Sequence, residues 1–199
     1  MHKGRLEAFS DGVMAVLITI MVLELRPPDE ASWAALRPML PEFFSYVLSF
    51  VFLGIYWNNH HHMLQASGSV NGRALWANHH LLFWLSLVPF STAWMGRAGA
   101  SAIPTATYGI VLLMSAIAYT ILLRTLTSHE GPGSRLAQAI GGDGKGWLSM
   151  VLYVSAIPLA FVRSWIAIGI YVTVALIWLI PDRRLEPVRK HAVTHQGVM

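Results

Sequence analysis

From Thr105 to Leu123 the chain runs without one charged side chain. A stretch like this can satisfy its backbone polar groups in lipid only as a helix. About 20 such residues are needed to cross the roughly 30 Å hydrocarbon core of a bilayer. Five further stretches are mainly apolar and fit as spans, some loosely, at about 6–25, 42–63, 74–95, 146–162 and 165–181, beside this one at 105–126. Composition agrees: 55% of residues are hydrophobic and 12% charged, with mean hydropathy +0.52. A soluble domain carries about 25% charged residues. The expected fold is therefore all-α and integral to the membrane. Six transmembrane helices form one domain over residues 1–182, and a basic tail occupies 183–199.

The first apolar run follows Lys3 and Arg5, as in a secretory leader. Glu24, Arg26 and two prolines come after it in place of a small-residue cleavage site, so it is expected to stay as the first span. The absence of cysteine excludes disulfides, thiolate metal sites and a cysteine nucleophile. The net charge of +4 does not mark a nucleic-acid binder, because the basic residues lie in loops and tail rather than in a stripe among exposed aromatics. Of the 14 Lys and Arg residues, Arg26, Arg37, Arg97 and Arg163 fall on one side of the six spans and the other ten on the side of the termini. The positive-inside rule then puts both termini in the cytoplasm of a multi-pass inner-membrane protein.

The start of the first span, "RLEAFSDGVMAVLITIMVLEL", is unexpectedly polar. At 100° per residue, Arg5, Phe9, Gly12, Val16, Ile20 and Leu23 fall within about 80° of one another, and Asp11 stands about 120° from Arg5. The two charges cannot pair well along one straight helix. An unpaired carboxylate inside a membrane costs on the order of 3 kcal/mol, so Asp11 needs a partner from elsewhere. Trp57 and the histidines of the second span are candidates, as is Arg5 of a neighbouring chain. The alternative is that Ser10 and Asp11 cap a helix starting near residue 12. That would leave a span short for the bilayer. The stripe of Val16, Ile20 and Leu23 reads either as a packing face or as the lining of a pore.

This opening closely resembles that of the transmembrane protein 175 family of endosomal and lysosomal potassium channels and their bacterial relatives. The resemblance rests on Arg5, Phe9, Ser10, Asp11 and Thr19, on a Trp and His cluster late in the second span, and on Pro89-Phe90 late in the third. It implies a homotetramer in the lipid bilayer whose first helices line a central pore for potassium or other monovalent cations. No TVGYG filter is present. The resemblance implies an apolar constriction at Val16, with Thr19, Ile20 and Leu23 nearby, and a structural and gating network of Arg5, Phe9, Ser10, Asp11, Trp57, His60 and His61. Members often carry a larger residue where this chain has Val16, which implies a wider and less selective ring. No cofactor, enzymatic activity or nucleic-acid partner is implied; potassium is the permeant ion.

Two other classes fit parts of the chain. A secondary transporter or proton-conducting protein would need a midplane site on broken helices, for which Pro89 and Pro158 are the only hints. A membrane metalloenzyme would build iron sites from His60, His61, His62, His79 and His80. Consecutive histidines point around a helix rather than converging, so no metal site is expected. An Asp11–histidine pair would make opening sensitive to cytoplasmic pH. Glu24, Asp29 and Glu30 sit where they would either concentrate cations at the outer mouth or remain solvated surface carboxylates. Trp residues near span ends fit an interfacial belt.

Overall fold

The computed structural model describes residues 3–131, 133, 134, 136 and 144–179. The basic tail at 183–199, the last residues of the sixth expected span and most of the glycine-rich connection after Gly131 lie outside them. The described residues are helical, with no strand: α1 Lys3–Leu23, α2 Trp33–Leu36, α3 Leu40–Ala66, α4 Gly72–Ser86, α5 Val88–Arg97, α6 Ala102–Glu130, α7 Gly144–Val162 and α8 Ser164–Leu179. A 3-10 turn at Arg37–Met39 joins α2 to α3. Among the described residues four segments suffice by length and composition to cross a membrane: Lys3–Leu23, Trp33–Ala66, Ala102–Glu130 and Gly144–Val162; Ser164–Leu179 is a shorter apolar helix.

Local chemistry sets the boundaries. Ser32 accepts from Ala35 N and starts α2, and Asn71 accepts from Ala74 N at 2.9 Å and starts α4. The stretch expected as one span at 74–95 is instead two helices joined at Leu87. Pro89 is the cause. It has no N–H to give the carbonyl four residues back, but it fits the first turn of a new helix, where no such bond is needed. Gly131, at φ 89°, ends α6 in a conformation that side chains disfavour. Arg163 alone separates α7 from α8, as the expected hairpin requires.

The helix ends gather at two levels. At one, Lys3 Nζ donates to Ser67 O at 2.9 Å, Ser67 Oγ donates to Glu130 Oε1 at 2.8 Å, and Gly68 N donates to the same oxygen. These bonds tie the start of α1 and the end of α6 to the α3–α4 connection. At the other level the end of α1 meets the end of α5.

Helix α6 is the spine, packed against α4, α5, α7 and α8, while α1 leans on α3, α4 and α5. One core is built around Met14, Leu53, Leu81, Leu85 and Leu122, another around Tyr108, Ala156, Tyr171 and Val174. Within lipid, apolar contact alone does not drive helices together; close packing and buried hydrogen bonds do. Both are present. Ser49 Oγ bonds Thr92 Oγ1 at 2.6 Å and Tyr108 Oη at 2.9 Å, joining α3, α5 and α6. Tyr171 Oη donates to Thr105 O at 3.1 Å and lies directly over Gly109, where any Cβ would overlap it.

Candidate functional site

Helix α1 has two unlike faces. Leu6, Ser10, Met14, Leu17 and Met21 recur every three or four residues and are buried. On the other side Val16 is 53% exposed, Ile20 42% and Leu23 79%, with Phe9 and Thr19 exposed beside them. The residues expected at a constriction therefore share the face that the rest of this chain leaves uncovered. Thr19 Oγ1 donates to Val16 O at 2.9 Å, so its proton is held by the helix backbone.

The polar start of α1 lies inside the helix, which begins at Lys3 and not near residue 12. Its 21 residues reach about 31 Å at 1.5 Å per residue, the thickness of a bilayer core. Ser10 and Asp11 are thus interior residues and not caps, and each is held by a neighbouring helix. Trp57 Nε1 of α3 donates to Asp11 Oδ1 at 3.0 Å. Buried Ser10 accepts at Oγ from Asn78 Nδ2 of α4 at 2.9 Å and gives its own proton to Leu6 O at 2.8 Å. Asn78 Oδ1 lies 2.7 Å from buried His60 Nε2. A carbonyl oxygen accepts only, so His60 carries its proton on Nε2. The result is a directed chain from His60 through Asn78 and Ser10 to Leu6 O, crossing α3, α4 and α1.

His61 stands at the edge of this network. Its Nε2 receives a bond from Gln65 Nε2 at 2.8 Å, which leaves the proton on Nδ1, 3.2 Å from Glu7 Oε1. Its ring stacks on Trp57 with centroids 6.0 Å apart. Phe9 stacks on His79 at 5.6 Å. Arg5 is exposed and makes no ion pair among the described residues, and the ring that Phe9 meets, His79, is not a member of the network expected from the sequence. Of the partners expected for Asp11, the one that meets it is Trp57, and among the described residues no histidine pairs with it.

Two more histidines bond within their own helix. His79 Nδ1 donates to Leu75 O at 2.8 Å, and His80 Nε2 accepts from Trp84 Nε1 at 2.9 Å. Among the described residues no three His, Asp or Glu side chains converge as metal ligands. Sequence reasoning missed Asn78, the hub of the chain. It also missed Arg97, whose Nη2 donates to Glu24 Oε2 at 2.6 Å. An amide inside the expected span 74–95, near its start, was the available sign for Asn78.

The chain is similar to known proteins over most of its length. The family model described as endosomal/lysosomal potassium channel TMEM175 matches residues 5–89, which contain α1 from Arg5 onward, both helices that hold its polar start, and the break before α5. A potassium channel of Chryseobacterium sp. (strain P1-3) is 57% identical over 186 residues, spanning 94% of this chain and 97% of that one. A potassium channel of Streptomyces collinus is 30% identical over 194 residues, spanning 88% and 90%. The crystal structure of a lysosomal potassium-selective channel TMEM175 homolog from Chamaesiphon minutus superposes with a TM-score of 0.78 at 26% identity, covering 89% of this chain and 96% of that chain.

Proposed function

Because this chain belongs to the TMEM175 family of potassium channels, we propose that it conducts potassium through a pore lined by α1, formed where four copies of the chain meet. The supporting observation is the pair of opposed faces on α1. Leu6, Ser10, Met14, Leu17 and Met21 anchor the helix to its own subunit, and Val16, Thr19, Ile20 and Leu23 remain open. In this reading α4 and α5 together make one broken crossing and α8 another. With α1, α3, α6 and α7 they give six crossings of the inner membrane, and both termini are cytoplasmic.

The chemistry is that of an apolar constriction. Four Val16 side chains form a ring with no oxygen ligands, so an ion passes only by shedding part of its hydration shell. Potassium holds its water less tightly than sodium and pays less to pass. Too tight a ring dewets and closes. The Trp57–Asp11 bond and the His60–Asn78–Ser10 chain hold the inner half of α1, so the ring's diameter depends on how firmly these bonds fix the helix. The lone Arg5 is placed for lipid phosphates or the next subunit.

Current through the purified protein in a planar bilayer, with potassium on one side and sodium on the other, tests the proposal. The expected result is a reversal potential displaced toward potassium, with unitary rates beyond those of a carrier. Val16→Asn should raise leak and reduce the displacement. Slow flux with fixed counter-ion stoichiometry would point to a transporter instead.

A further inference from the structure

Arg97 closes α5 and Glu24 lies one residue past α1, and their ion pair joins those two helix ends across 73 positions of sequence. The side chains are 48% and 44% exposed. An ion pair this open adds little to stability, so its consequence is electrostatic. It sits beside Leu23, the last residue of the uncovered α1 face. The place of Arg97 is set by packing. A Cβ on its neighbour Gly96 would stand 2.7 Å from Glu42 Cα, so α5 is seated closely on the start of α3. Glu42 lines the same small cavity as Glu24 and Arg97. One guanidinium thus stands among two carboxylates and pairs with one.

We propose that Arg97 is a positioning residue of the channel's outer mouth: it clips the end of α1 to α5 and masks the Glu24 carboxylate, thereby setting how strongly the mouth concentrates cations. The inference rests on the reading of α1 as pore-lining. It also decides between the two roles open to Glu24 from sequence: the carboxylate is neither a free cation attractor nor a solvated bystander, but a charge held in balance.

The test is unitary conductance of the full chain in planar bilayers, in symmetrical potassium chloride at about 10 mM and about 1 M, where charges are felt over roughly 30 Å and 3 Å respectively. Arg97→Gln unmasks Glu24 and should raise conductance about two-fold in the dilute salt, Glu24→Gln removes one of the two carboxylates beside Arg97 and should lower it by a similar factor, and both differences should shrink to within about 20% in the concentrated salt. Combining the two substitutions should cancel the shifts. The opposite signs let either variant stand in if the other does not fold. Shifts in the same direction, or equal at both salt concentrations, would mean the pair is merely structural and would overturn the proposal. Val16→Asn in the same series separates the failures. Altered selectivity there with no response at Arg97 and Glu24 sinks the mouth inference alone; silence at all three positions removes the pore reading itself.

Discussion

The indole N–H of Trp57 reaches across the α1–α3 contact to Asp11 Oδ1 at 3.0 Å. This bond answers the cost of a carboxylate in the middle of a membrane helix, since a charged acceptor with an aimed donor is far cheaper than one without. Trp57→Phe keeps the ring and removes the donor. It should lower stability by about 1 kcal/mol, the bond being partly open to solvent. Asp11→Asn should cost less than Asp11→Leu, because an amide oxygen still accepts from the indole. Thermal unfolding of the detergent-solubilised protein, followed by size exclusion, would check the order; an Asn variant as unstable as the Leu variant would show that the bond is not what holds this site.

Asn78 should matter more than Trp57. It serves two buried partners, receiving from His60 Nε2 at 2.7 Å and donating to Ser10 Oγ at 2.9 Å. Asn78→Ala strands both, and each buried unpaired group costs about 1–3 kcal/mol. Removing the α4 cap with Asn71→Ala should cost only about 1 kcal/mol. The same unfolding assay should rank Asn78→Ala well below Asn71→Ala. Equal losses would mean that the chain from His60 to Leu6 is loosely coupled.

How much of this was legible beforehand depends on the range of the cause. The helices and the tight α7–α8 hairpin follow from apolar runs and breakers that act within a few residues. The split of 74–95 at Leu87 was half legible: Pro89 was visible, but whether a proline kinks a helix or restarts one depends on its neighbours. Helix α2 is too short for periodicity to reveal. The open face of α1 followed from angular spacing, whereas its bonds did not. Ser10 meets Asn78 across 68 positions, and Glu24 meets Arg97 across 73. Only the packing of α4 and α5 against α1 decides such pairs. Gly109 lies against Tyr171 while Gly169, also a glycine inside an expected span, faces open space, and nothing local in the sequence separates the two.

Gly109→Ala should be among the most damaging single-methyl additions in the chain. The new Cβ would collide with the Tyr171 hydroxyl, which is fixed by its bond to Thr105 O at 3.1 Å. Overpacking of this kind costs about 1–3 kcal/mol. Adding Tyr171→Phe should recover part of the loss by removing the obstructing oxygen, even though that change is itself destabilising in the parent through the lost bond. Strict additivity of the two effects in a double-mutant cycle would argue that α8 moves aside instead.

Ring size at position 16 should trade conductance against selectivity. Val16→Ile adds one methylene to each of four side chains that project from the uncovered face of α1, narrowing the proposed constriction without adding a polar atom. Potassium current should fall and the potassium-to-sodium permeability ratio should rise. Val16→Ala should do the reverse. Thr19→Val is the matched comparison: its hydroxyl already donates to Val16 O at 2.9 Å, so replacing it keeps shape and leaves the ring's diameter nearly unchanged. Permeability ratios from bi-ionic reversal potentials would order the variants. If Thr19→Val shifts selectivity more than Val16→Ile, the ions are sorted by the hydroxyl and not by the apolar ring. If Ile and Ala at position 16 move the ratio the same way, ring diameter is not the controlling variable.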